Sequence, residues 1–319
     1  MILTPEVLTI FILNTLFLGF GIIAFILSIK IFLNWDIEST SSLQYKLEKQ
    51  SFLTSTIIKY IFMIKVPLFL FFIFTLDKIS NLLVGAMCAA GVVNATKYGN
   101  FLFVFKIVNL YIFAYWLSLH YEDIKYEKQP YTKLKFAIFI VIFFSFLAEL
   151  ILESMLFFSL EPDKMVSCCG AIFSQTATSY ISNIFTIKIP FLLSAFYGNF
   201  ILIILFAFFR LKYMFSLVNV LFIPVSIISI IVFFGTYIYE LPTHHCPFCL
   251  LQSDYYYIGY FLYTFLFLGT FYGFVNGVIN FTKDRLNINY KKSIFYNSLF
   301  VFILTLYPVV YYMKNGVFL

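Results

Sequence analysis

The sequence predicts an all-α fold, a polytopic transmembrane bundle of about eight spans forming a single membrane domain over residues 1–319, and three observations predict it. Hydrophobic residues make up 62% of the chain and charged ones 11%, so that mean hydropathy reaches +0.95, far outside the range of soluble domains. Apolar runs of roughly 20 residues, enough to cross the hydrocarbon of a bilayer, recur along the chain. Their apolar character runs right round each segment instead of alternating, which favours helices over a β-barrel.

The first run, 7–33, lacks a basic leading segment and a small-residue cleavage site and is too long for a signal peptide, so it reads as a retained span. The second, 57–76, carries Lys65 just ahead of Pro67, which marks either a kink with a polar cavity or a lysine paired with a carboxylate elsewhere. The third, 101–120, contains Lys106. The fourth, 135–160, contains Glu149 and Glu153, four residues apart and therefore on one helical face. Ionisable groups inside spans are costly and are candidates for function. Lys106 lies at a depth similar to Glu153, so a neutralising pair is one expectation; a proton relay through Glu149, Glu153 and Lys106 is the other. The remaining runs are 189–209, 215–239, 257–281 and 296–313.

Lysine and arginine set the orientation. Fourteen of the 21 fall in one set of connections, among them Lys30, Lys46, Lys125, Lys135, Arg210 and Arg285; five fall in the opposite set and two inside spans. The richer side is expected in the cytoplasm, which places the N-terminus and C-terminus outside. The net charge of +6 is explained by this pattern, and no nucleic-acid binding is expected. No phosphate-cradling Gly-rich motif is present, which argues against ATP-driven work. The aromatic residues, 22% of the chain, read mainly as lipid-facing bulk, with Tyr255, Tyr256, Tyr257 and Tyr260 as an interfacial belt among membrane lipids.

This orientation collects every cysteine on the outer side. Cys88 lies in the second connection, Cys168 and Cys169 in the fourth, Cys246 and Cys249 in the sixth. In a bacterial inner (plasma) membrane that side is the periplasmic face, where thiols are open to oxidation. The stretch THHCPFC, Thr243 to Cys249, sets a Cys-x-x-Cys just ahead of the seventh span. At a helix start, N-terminal amides stabilise the first thiolate and the two sulfurs can close a short ring. Protonated His244 or His245 would lower a thiol pKa further. The pair is expected at the membrane surface, within reach of a soluble partner and of a lipid-dissolved quinone.

An outward Cys-x-x-Cys entering a span, with a second outward thiol group, resembles the DsbB and vitamin K epoxide reductase type of membrane thiol oxidoreductase. The resemblance implies electron transfer from an extracytoplasmic thioredoxin-like partner to Cys168 or Cys169, then to Cys246 and Cys249 with His245 assisting, and on to a quinone.

Two other readings stand beside it. His244, His245, Cys246 and Cys249, with Cys168, Cys169 and Cys88, offer ligands for copper, zinc or another soft metal delivered by a metal-carrier protein, and adjacent thiols suit two-coordinate soft ions. The third reading is a non-catalytic membrane anchor for a periplasmic redox complex; for Cys246 and Cys249 themselves the plain alternative is a structural disulfide or inert thiols. Covalent c-type haem is not expected, because Leu250 follows Cys249 where a histidine is required.

Overall fold

The computed structural model describes residues 4–36, 39, 41–126, 129–163, 165–166 and 184–319. Among the described residues there is no strand. Eight helices among the described residues are long and apolar enough to cross a membrane, and the chain is an integral membrane protein. They are α1 (Pro5–Asn34), α2 (Ser42–Ser80), α4 (Gly99–Asp123), α5 (Thr132–Phe158), α6 (Ile189–Phe208), α7 (Lys212–Tyr239), α8 (Ile258–Val278) and α9 (Lys283–Asn315). A short α3 (Ala89–Asn94) lies between the second and the third of them. Each predicted run sits inside or across one of these helices.

α2 and α9, of 39 and 33 residues, exceed the roughly 20 that a bilayer requires. The excess is their charged N-terminal turns, which hold Lys46 and Lys49 in α2 and Arg285, Lys291 and Lys292 in α9.

The chain divides into two compact units. In the first, Met1–Val84 with Val92–Lys164, α1 packs on α2 and α5, and α4 packs on the same two helices, which gives a four-helix ring. α1 buries one narrow face, Val7, Ile10, Asn14, Phe17, Gly21, Ala24, Ser28 and Ile31, at the three-to-four spacing of a helix stripe. Its other faces leave Leu8, Ile12, Leu16, Phe20 and Ile23 exposed, as lipid contact requires. Asp123 closes the α4–α5 connection: its carboxylate accepts from the backbone N–H of Tyr131 (2.7 Å), the hydroxyl of Thr132 (3.1 Å) and Lys135 Nζ (2.7 Å).

The second unit is Gly85–Gly91 with Met165–Leu319. Here α8 packs between α7 and α9, and α6 contacts both of these helices. α8 presents Gly269, Gly273 and Gly277, one helical turn apart, to Asn297, Asn219 and Ser216 respectively. Small residues at this spacing let membrane helices approach closely, and polar side chains then bond across the contact. Ser293 Oγ and Asn297 Nδ2 both donate to Asn219 Oδ1, at 3.1 and 3.0 Å. Near its C-terminal end α7 widens into a single π-turn, Ile230–Phe234, of the kind found disproportionately at functional sites.

Candidate functional site

Two constellations of buried polar or reactive side chains stand out, one in each unit. In the first unit a closed ring of hydrogen-bonded side chains joins all four helices. Glu149 Oε1 of α5 receives Lys65 Nζ of α2 at 3.1 Å and Lys106 Nζ of α4 at 3.0 Å. Lys106 also lies 3.0 Å from Glu153 Oε1, and Asn14 of α1 completes the circuit, donating to Glu153 Oε2 (2.8 Å) and accepting from Lys65 (3.0 Å). Asn109 donates to the remaining Glu149 oxygen at 2.7 Å and is itself held by Ser145.

Two cations thus balance two anions, each buried, with the carboxylate oxygens all engaged. This is the arrangement in which buried charge is tolerated. Beside Lys65, Lys106 and Glu149 lies a cavity of about 10 Å³, room for roughly one water. Glu149 is the partner that the sequence left unassigned for Lys65, and Lys106 joins Glu153 as their common depth implied. Asn14 and Asn109 were missed, because single asparagines are common in membrane helices and only their partners distinguish these two.

In the second unit the sulfurs of Cys88, Cys246 and Cys249 all lie within 4.8 Å of one another. Cys88 Sγ and Cys246 Sγ are 3.6 Å apart. Their exposures are 0%, 1% and 3%. Cys88 arrives on the segment Gly85–Gly91, although the chain on either side of it belongs to the first unit. Gly85, at φ +89°, lets that segment press against the Val166 carbonyl, a conformation that suits glycine alone. Gln252 Nε2 donates to the Met87 carbonyl at 2.8 Å, tying the segment to the loop after α7.

Phenols fix that loop from the inside. Tyr239 Oη donates to the Cys246 carbonyl, and Tyr263 Oη to the Pro247 carbonyl at 2.7 Å. Tyr255 packs edge-on against Tyr239 with ring centroids 4.6 Å apart, and burial raises its pKa, which keeps it a neutral phenol. Tyr263→Phe is expected to cost about 1 kcal/mol of loop stability and to speed alkylation of Cys246 and Cys249 in the folded protein by about fivefold. An alkylation rate unchanged from wild type would show that Tyr263 does not restrain the loop.

Two expectations need correction. Cys246 and Cys249 do not cap the seventh span: Cys249 opens a single 3₁₀ turn (Cys249–Leu251), a second follows at Ser253–Tyr255, and Tyr256 and Tyr257 both adopt left-handed backbone before α8 starts at Ile258. The N-terminal amides of α8 are therefore remote in sequence from the first thiol. Nor do the thiols stand open at the surface, since Cys246 and Cys249 are both buried.

His245 is half-buried, and burial lowers its pKa against the opposing effect of the Ile231 carbonyl, 2.9 Å from Nδ1. A neutral ring donating Nδ1–H to that carbonyl of the π-turn fits this environment better than a cation assisting thiolate formation. His244 packs edge-on against Tyr239. Among the described residues, the cluster with metal-ligand spacing comprises the three sulfurs without either histidine. Cys168 and Cys169 lie outside the described residues.

Cys88 joining the Cys-x-x-Cys could not be read from its distance in sequence, 158 residues from Cys246. Comparison with known proteins finds no match among family models, curated proteins or solved structures.

Proposed function

We propose that the chain is a membrane protein that binds a soft metal or metalloid through Cys88, Cys246 and Cys249. One observation carries this: three thiols from two distant segments converge within 4.8 Å. A central atom bonded to three sulfurs at about 2.3 Å spaces them roughly 4 Å apart, and soft centres select such a donor set. Burial adds support, because a partner protein cannot reach these sulfurs in line as thiol exchange requires, whereas a small ion needs only a narrow entry.

In this reading the cationic connections face the cytoplasm, both termini and the cysteines face the periplasm of a bacterial inner membrane, and a metal carrier is the partner. The test is to purify the protein and quantify bound soft metal together with thiol redox state. Stoichiometric metal, lost in Cys246→Ser, is the expected result.

A second reading keeps the thiol relay between a thioredoxin-like partner and a quinone, with Glu149 as proton carrier. The 3.6 Å separation of Cys88 and Cys246 favours it, since Cys88 could attack a Cys246–Cys249 disulfide with little movement. A metal-free protein whose cysteines cycle with quinone would select the relay. A protein whose action survives loss of all five cysteines would leave only the role of a membrane anchor for a redox partner.

A further inference from the structure

We infer that the second unit binds the phosphate headgroup of an anionic membrane lipid at the end where α7 and α9 begin, with Arg285 as the residue that grips it. This end of α7 is the one remote from the thiols, and the inference depends on no role for them. Residues 208–216 and 279–292 carry Arg210, Lys212, Lys283, Arg285, Lys291 and Lys292 against one acid, Asp284. Among the described side chains of this set no ion pair forms.

Local packing draws these cations to one place. Only residues 209–211 separate α6 from α7, and directly after them Lys212 Nζ donates to Asn280 Oδ1, just beyond α8, at 2.8 Å. Tyr290 of α9 packs edge-on against Phe215 of α7 with ring centroids 4.7 Å apart, and it lies within electrostatic range of Arg210. Arg285 shares a face of α9 with Asn289, four residues on, whose amide donates to Asn276 of α8 at 2.9 Å.

Cations at a bilayer boundary are ordinary, and a side chain that only flanks a span extends its charge into water. Arg285 is instead partly buried, and its Nε is shut off from solvent without an acceptor. A buried N–H left in this way calls for an acceptor from outside the chain. Phosphate matches the planar guanidinium fork in charge and in geometry. The surroundings select a lipid over a free phosphate, because Phe208, Phe209, Leu211 and Tyr213 stand exposed beside the cations and offer acyl chains apolar cover. The excess of positive charge selects an anionic headgroup over one that carries its own ammonium.

The experiment uses the full chain, delipidated in detergent, with bound lipid counted by native mass spectrometry. One phosphatidylglycerol per chain is expected, held more tightly than phosphatidylcholine. Arg285→Gln should weaken it about tenfold, the worth of one charge-assisted contact, and Arg285→Lys by less. Lys291→Gln combined with Lys292→Gln removes twice the charge from the same helix and should weaken binding less than Arg285→Gln does. A second measurement needs no substitution: phosphatidylglycerol should raise the unfolding midpoint of the wild-type protein, and inorganic phosphate should not. Losses that follow only the number of charges removed would reduce the site to diffuse attraction and overturn the inference. Inorganic phosphate that displaces the lipid, with the same dependence on Arg285, would overturn the lipid and leave a free phosphate compound as the ligand.

Discussion

Replacing Glu149 by alanine is expected to destabilise the protein by about 3–5 kcal/mol, the size of effect found when one partner of a buried ion pair is removed. The reason lies in how unequally the ring is wired. Lys106 would keep Glu153 at 3.0 Å. Lys65 would be left with the amide oxygen of Asn14 as its one remaining polar contact in the ring, a cation in a membrane helix with no counter-charge. Asn109 would also lose the acceptor of its 2.7 Å bond.

Removing the stranded cation at the same time should therefore restore most of the loss. Glu149→Leu combined with Lys65→Met leaves one balanced pair, Lys106 with Glu153, and is expected to recover more than half of the stability lost by Glu149→Ala. Unfolding midpoints in detergent, followed by circular dichroism, give both numbers. A single substitution costing under about 1 kcal/mol would mean that the ring contributes little, and a double variant no better than the single would mean that the loss does not come from stranding Lys65.

The ring and the thiol cluster show where sequence reading succeeds in a membrane protein and where it stops. Span number and helix character follow from hydrocarbon thickness and from the need to satisfy every backbone group internally. These are one-dimensional constraints, and all eight runs were legible from them. The depth of Lys106 and Glu153 along their helices is likewise a linear quantity, and it placed those two side by side.

What is not linear was lost. Lys135 counted as a cationic flank of the fourth run, yet it is 1% exposed and bound to Asp123, because the α4–α5 connection turns back on itself. Cys246 and Cys249 suggested a helix cap from the run of apolar residues behind them. Two left-handed tyrosines, which no local propensity announces, postpone the helix to Ile258. The α8 glycines were available as a spacing of four and went unread, since only the neighbouring helices reveal what the missing side chains make room for.

Those glycines carry the second large effect. A Cβ placed on Gly273 would overlap the side-chain amide of Asn219 on α7. A long surface side chain could swing away at small cost. Asn219 is short and fully buried, and its amide is committed three times: Nδ2 donates to the Phe215 carbonyl at 2.8 Å, and Oδ1 accepts from Ser293 and Asn297 of α9.

Displacing it breaks up to three hydrogen bonds worth about 1 kcal/mol each, so Gly273→Ala is expected to cost about 3 kcal/mol. Gly198→Ala on α6 is the control, since nothing lies within 4 Å of its Cβ; it should be neutral or stabilising by about 0.5–1 kcal/mol, the gain in helix propensity. Because the clash and the hydrogen bonds share one side chain, Gly273→Ala and Asn219→Ala should couple: the double variant should cost less than the sum of the singles. Strict additivity would show that the α7–α8 approach yields elsewhere, and that Asn219 is a bystander to the packing of Gly273.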